Sequence, residues 1–355
     1  MRLADPLRRA TRNAHLWWPG YLRSRWQARH RGWPTQAWVT VADHFEPLWG
    51  RPDAATARER VARWRQALPE IAARHHDDAG RPPCYAFFYP EEEYQPQLLE
   101  PLAEMAHAGY ADVEVHLHHD GDTAPAFVDR LGRFTEALAS RHGLLRSEEG
   151  RLRFGFIHGN WALDNARPDG RWCGLNNEIT LLRKLGCYAD FTLPAAPDVS
   201  QAGPVNVIYR VRDDPERPRS HARGSVVEAG TPAVGDLTLI PGPLGLDWTA
   251  RPFYKPRLDT GELAHNNGPQ RHRVRLWLTV APRIGGHAFI KLFTHGAQEQ
   301  NSAALLGGDL DALFEGLRAE CSGLGIRLHY ASPWQMWQSV ERLRQSLDPV
   351  AAARP

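Results

Sequence analysis

Short apolar, β-branched runs alternate along the chain with stretches whose apolar residues recur every three or four positions. Trp38-Val39-Thr40-Val41-Ala42 predicts a strand that runs straight into polar residues, and Val61, Trp64, Leu68 and Ile71 predict a long helix over residues 54–75. The same pair follows twice more: strand-like 84–89 and helix-like 97–108, then strand-like 113–118 and helix-like 124–142. Residues 154–157 predict a fourth strand, 177–185 a fourth helix ended by Gly186, and 190–193 a fifth strand. From 194 to 268 the pattern weakens into a Pro-, Gly- and Arg-rich region with strand-like pieces at 205–211 and 237–240. Order returns with strand-like 273–280 and 288–293, a helix over 301–321, a strand at 326–330 and a last helix over 333–347. A period that switches from two to 3.6 at each step is the signature of βα units around a parallel sheet.

Composition narrows the class. With 42% hydrophobic and 24% charged residues in 355, the chain has the proportions of a globular protein with a sizeable core. The longest apolar runs, 38–42 and 276–282, fall well below the ~18 residues of a membrane-spanning helix. No apolar stretch follows the charges at the N-terminus, so a cytoplasmic location is expected. Cys84, Cys173, Cys187 and Cys321 form no Cys-x-x-Cys pair and read as reduced core residues. Residues 1–33 hold eight arginines and one aspartate, a net +7 against +2 overall, together with Trp17, Trp18, Trp26 and Trp33. This head reads either as a helical extension packed on the main domain or as a contact for a membrane surface, an acidic polymer or a synthase partner. The expected organisation is therefore a basic extension over 1–35, a single catalytic domain over 36–347 with an irregular insertion near 194–268, and a tail over 348–355.

In parallel α/β folds, polar residues at the C-terminal strand ends face the catalytic opening. Here those ends carry Asp43-His44 and Glu46, then His116, His118, His119, Asp120 and Asp122, then His158 and Asn160, and later His295. One histidine among 17 says little, whereas several strands ending this way suggest a divalent ion held on rigid elements. Alternation along a strand points His116 and His118 to one face.

Several of these segments resemble motifs of the NodB-homology polysaccharide deacetylases. Trp38-Val39-Thr40-Val41-Ala42-Asp43-His44 is similar to the first motif, an apolar strand ending in two aspartates; Tyr85-Ala86-Phe87-Phe88-Tyr89-Pro90 is similar to the aromatic second strand. Glu114-Val115-His116-Leu117-His118 resembles the third, where glutamate precedes a His-x-x-x-His pair, and Phe289-Ile290-Lys291-Leu292-Phe293-Thr294-His295 the last. The resemblance implies an irregular seven-stranded (β/α) barrel and a divalent metal, zinc foremost, with removal of acyl, chiefly acetyl, groups from a polysaccharide or glycan precursor. It implies Asp43 as the base, His295 as the acid, and His44, His118 and Asp122 as metal ligands. His44 stands where the family has an aspartate and Asp122 where it has a histidine, so the ligand types are exchanged; His116 is the competing ligand. The family's fourth motif is replaced by His158-Gly159-Asn160-Trp161, and His158, Asn160, Trp161, Asp190, Asp247 and Trp248 are expected to contact the sugar.

Two other readings use the same residues. A glycoside hydrolase on this fold would need a carboxylate pair drawn from Glu46, Asp164, Asp190 and Asp247. A catalytically degenerate domain would only bind carbohydrate during exopolysaccharide assembly. Nucleic acid is not an expected partner, because the basic residues lack an interleaved aromatic platform, and no phosphate-cradling Gly-rich loop precedes a helix.

Overall fold

The structure is a computed structural model that describes residues 12–249 and 256–346, so the tail expected over 348–355 and the first eleven residues lie outside it. Its centre is a mixed α/β arrangement around a mostly parallel sheet. Strand β1 (Gln36–His44) pairs along one edge with β13 (His287–Thr294), from Gln36 opposite His287 to Asp43 opposite Thr294. Its other edge is shared: Gln36–Val39 pair with β14 (Arg327–Tyr330) and Val41–His44 with β2 (Tyr85–Pro90). Beyond β2 follow β3 (Ala111–Leu117), β5 (Arg151–His158), β6 (Cys187–Asp190) and β9 (Leu237–Leu239), each parallel to the one before. A short antiparallel partner, β4 (Arg146–Glu148), flanks β5, and β7 (Tyr209–Val211) with β8 (Ser225–Val226) lie beyond β9. An antiparallel ribbon of β10 (Gly245–Asp247) and β11 (Arg257–Asp259) stands apart, and β12 (Arg283–Ile284) borders β13.

Most crossover connections are helices, the usual solution for parallel pairing, whereas the one from β6 to β9 is the irregular region. One face of the sheet is covered by α2 (Ala54–Arg74), α3 (Pro96–His107), α4 (Ala124–Ser140), α5 (Glu178–Leu185) and α6 (Arg271–Val280). Val61, Trp64 and Leu68 of α2, Leu98 and Leu102 of α3, and Phe127 and Leu131 of α4 meet Val39, Val41, Phe87 and Val113 there. After a short α7 (Glu299–Ala304) and a π turn, α8 (Leu310–Leu324) joins the same layer. The opposite face, with Ala42, Ala86, Phe88, Ile157 and Phe289, packs against Met336, Val340 and Leu343 of α9 (Pro333–Gln345). A Ser332/Gln335 capping box starts that last helix, and Asp53 caps α2 by accepting from Thr56 N–H. Among the buried polar side chains, Asp43, His44, His116, His158 and Asp190 lie at or next to the C-terminal strand ends.

Residues 273–280 are helical, not extended. Val274, Trp277 and Leu278 face the core at helical spacing, but Arg273 is buried among them and disguises the period. Its guanidinium reaches Asp259 at 2.6 Å and the carbonyls of Asn267, Gly268 and Glu262. Within 205–211 only Tyr209–Val211 is a strand. The N-terminal helix α1 (Ala14–Arg31) buries Trp17 and Tyr21 against Ala196, Val205 and Leu244 of the irregular region, while Trp18, Trp26 and Trp33 stay exposed. Among the described residues no helix is long and apolar enough to cross a membrane.

Candidate active site

β3 delivers two imidazoles to one rim. His116 is fully buried, and its Nδ1 lies 2.8 Å from the Ile157 carbonyl, which can only accept; Nδ1 therefore carries a proton, and in the neutral ring Nε2 keeps its lone pair. That Nε2 is buried without a hydrogen-bond partner. Two residues on, His118 sets its Nδ1 2.5 Å from Glu92 Oε1, again leaving Nε2 free to point inward. Both Nε2 atoms approach Glu46 Oε1, at 3.6 Å from His116 and 3.3 Å from His118. Ligand atoms of Glu46, His116 and His118 all lie within 4.8 Å of one another, close enough to hold one metal ion.

The rings of His44 and His295 complete the group. His44 lies 5.0 Å from His116 and 4.9 Å from His295 between ring centroids, with its Nε2 also buried and unpartnered. Burial, reinforced by the charges of His295, His116 and Lys291, pushes the His44 pKa well below the usual imidazole range, so it is neutral with an available lone pair. His295 is lowered as well, by burial against the opposing pull of Glu46 and Glu262. Burial opposes ionisation of Glu46, but the neighbouring imidazoles of His116, His295 and His118 outweigh it and hold its pKa below the usual carboxylate value. In His118 the bond to Glu92 and the charges of Glu92 and Glu46 outweigh desolvation and raise the pKa. An imidazole tied to a carboxylate through one nitrogen and facing a lone-pair cluster with the other is the arrangement that orients a metal-bound histidine.

The remaining sequence-predicted residues divide sharply. Asp43 sits on β1 next to His44 but does not join it, because successive side chains on a strand face opposite sides. Its carboxylate is fully buried and taken at both oxygens, by Gly296 N–H at 2.6 Å and the Tyr85 hydroxyl at 2.9 Å. It ties down the turn after His295 instead of facing the cluster, and a side chain at Gly296 would collide with it. Burial pushes Asp43 up to about 7 despite these two donors. Asp122 does not share a centre with His44 either: it accepts from Thr123 N–H at 2.9 Å and lies 3.4 Å from Arg130 and from His119 Nδ1. His158 points to His119, Cys173 and Glu178, not to a substrate opening. Asp190 is closed by the amide and hydroxyl of Thr192. Asp247 belongs to the β10–β11 ribbon, held with Thr249 and His272, and Trp248 is exposed beside it.

Asn160 and Trp161 form the tight turn after β5, both with positive φ. Trp161 also lines a cleft of about 960 Å³ with Arg167, Pro194, Asp198, Glu262 and Phe293. The Phe293 ring, which lines that cleft, lies 5.7 Å from that of His44. Sequence reasoning left out Glu92 and Glu178, read Cys173 only as a reduced core residue, and put Glu46 at a strand end and in a candidate carboxylate pair but not among the metal ligands. Three successive glutamates directly after an apolar strand were the signal for Glu92. No protein-family model matches this chain, and no curated protein matches it.

Proposed function

We propose that the chain is a metal-dependent hydrolase of the polysaccharide deacetylase type, removing acyl groups, chiefly acetyl, from a glycan, and that its sheet is the irregular seven-stranded barrel of that family. For the barrel, seven consecutive parallel strands run from β13 to β9 among the described residues, and Gly242, just past β9, comes against the Lys291 carbonyl of β13. For the chemistry, one observation carries the reading: two imidazoles with Nδ1 committed turn Nε2 toward the Glu46 carboxylate.

His116, His118 and Glu46 would hold the ion, zinc foremost, with His44 as a further nitrogen ligand. When bound, such an ion polarises a carbonyl oxygen and lowers the pKa of water toward ~7. The rest falls to the chain. His295, kept neutral by burial, accepts the proton from the attacking water and returns it to the leaving nitrogen or oxygen. Asp43 holds the His295–Gly296 turn through its bond to Gly296 and is a positioning residue. Glu92 orients His118, and Trp161 and Phe293 offer apolar faces on which a sugar ring can stack. Residues 12–33, with exposed Trp18, Trp26 and Trp33 among arginines, would supply any contact with a membrane surface or a synthase. The glycosidase reading has less support, since Asp164, Asp190 and Asp247 are each engaged by donors of their own.

The test is acetate release from N- and O-acetylated oligosaccharides by zinc-loaded protein. Turnover by the wild type and its loss in His118→Ala are expected. Binding of an acetylated glycan without turnover, with the ion in place, would favour the binding-only reading instead.

A further inference from the structure

Behind the open cluster lies a second group of metal-ligating side chains. His119 leaves the end of β3, His158 ends β5, Cys173 lies in the loop between β5 and α5, and Glu178 begins α5. All four are buried, and one ligand atom from each lies within 4.8 Å of the others. His119 Nε2 is 2.8 Å from His158 Nε2, and Glu178 Oε1 is 3.2 Å from the first and 3.4 Å from the second. Cys173 Sγ is 3.4 Å from Glu178 Oε2.

With both imidazoles neutral, the hydrogen bonds of this group do not close. His158 Nδ1 lies 2.6 Å from the Gly159 carbonyl and must donate to it, so neutral His158 presents a lone pair at Nε2. If neutral His119 carries its proton on Nε2, its Nδ1 lone pair is buried without a partner and faces Asp122 Oδ2 at 3.4 Å. With the proton on Nδ1 instead, that contact becomes favourable, but two lone pairs then meet at 2.8 Å beside the Glu178 carboxylate.

We propose that His119, His158, Cys173 and Glu178 bind a second zinc ion, with a structural role. Two imidazoles, a thiolate and a carboxylate match zinc's preferred donors, and the thiolate selects against magnesium or calcium. Asp122 and the Gly159 carbonyl hold the outer ring nitrogens, as the partners of metal-bound histidines do. Four protein ligands in a buried pocket leave no open position, which is the mark of a structural site. What the ion would secure is also visible. The loop from Gly159 to Asn177 has Asn160, Trp161, Asp164, Asn165 and Trp172 in positive-φ conformations, which cost energy in non-glycine residues. Cys173 and Glu178 would clamp the far side of that loop to the ends of β3 and β5, and so hold Trp161 at the cleft. The inference does not depend on the hydrolase reading.

Cobalt distinguishes this site from the open one, which offers only nitrogen and oxygen ligands. Full-length protein loaded with Co²⁺ should show a sulfur-to-cobalt charge-transfer band in the near ultraviolet. Cys173→Ser should lose the band, Cys84→Ser should keep it, and Cys173→His should keep the metal stoichiometry without it. X-ray absorption on zinc-loaded protein should find one sulfur at about 2.3 Å averaged with nitrogen and oxygen neighbours. A wild type with no sulfur–cobalt band, as expected if a protonated His119 merely bonds to His158, would overturn the assignment. Persistence of the band in Cys173→Ser would overturn it as well. If Cys173→Ser does not fold, the wild-type band and Cys173→His decide the matter.

Discussion

The end of β3 feeds two histidine clusters that differ in almost every respect except their proximity. His116 and His118 meet Glu46 where the His118 side chain is 32% exposed, whereas His119 meets His158, Cys173 and Glu178 with side-chain exposure of 0% at both histidines and Glu178. The first has nitrogen and oxygen donors and a partly exposed histidine; the second adds sulfur and is buried. Adjacent residues of one strand end can thus serve a centre that exchanges ligands with solvent and a centre that holds the wall in place. Accessibility, more than the kind of donor, separates reactive chemistry from scaffolding.

The largest expected effect comes from removing a ligand of the open cluster. His118→Ala should abolish turnover by more than the ~10–100-fold that loss of an outer partner costs, while a cobalt band arising from Cys173 survives. Loss of both would mean the two clusters are one cooperative unit. Glu92→Gln is the next step down: it leaves every proposed ligand in place but weakens the anchor of His118. Metal affinity or activity should fall ~10–100-fold, measured by competition with a chelator and by acetate release. An unchanged affinity would show that the Glu92–His118 bond has no part in metal binding.

Smaller again is Trp161→Ala. Loss of one stacking face should raise KM by ~2–10-fold with little change in kcat, in keeping with ~0.5–1.5 kcal/mol for an aromatic contact. A fall in kcat alone would point to disturbance of the turn after His158 instead. A separate effect, on stability and not on turnover, concerns a carboxylate buried in the sheet. Asp190 is pushed up to about 7 from 3.8, first by burial, so its favourable contribution is complete below 3.8 and is lost as the pH rises through about 7. Asp190→Asn removes that dependence, since Asn can still accept from Thr192 N–H. Urea unfolding at pH ~4.5 and ~7 should show the variant gaining on the wild type at the higher pH. A constant difference would mean that Asp190 is not raised.

Much of this arrangement was legible in the chain. The strands over 36–44, 85–90, 111–117 and 151–158 stand out because both of their faces are buried, leaving nearly continuous apolar runs. Alternation correctly put His116 and His118 together, with rings 4.5 Å apart. The same rule separates Asp43 from His44, but the likeness to a motif with two site aspartates obscured it. Helix α6 was missed because a buried arginine interrupts its apolar face. Cys173 was unreadable for another reason: its partners His119 and His158 lie 54 and 15 residues away, and only the folding of an irregular loop brings them together. Periodicity reports which way a side chain faces, not which distant side chain it meets.

Anomalous scattering from crystals of zinc-loaded, full-length protein, measured on both sides of the zinc edge, bears most directly on the open cluster as a metal centre. The expected result is an anomalous peak within about 2.0–2.2 Å of His116 Nε2, His118 Nε2 and a Glu46 oxygen. Absence of a peak there at full zinc occupancy elsewhere, with Glu46 bonded directly to the two imidazoles, would contradict it.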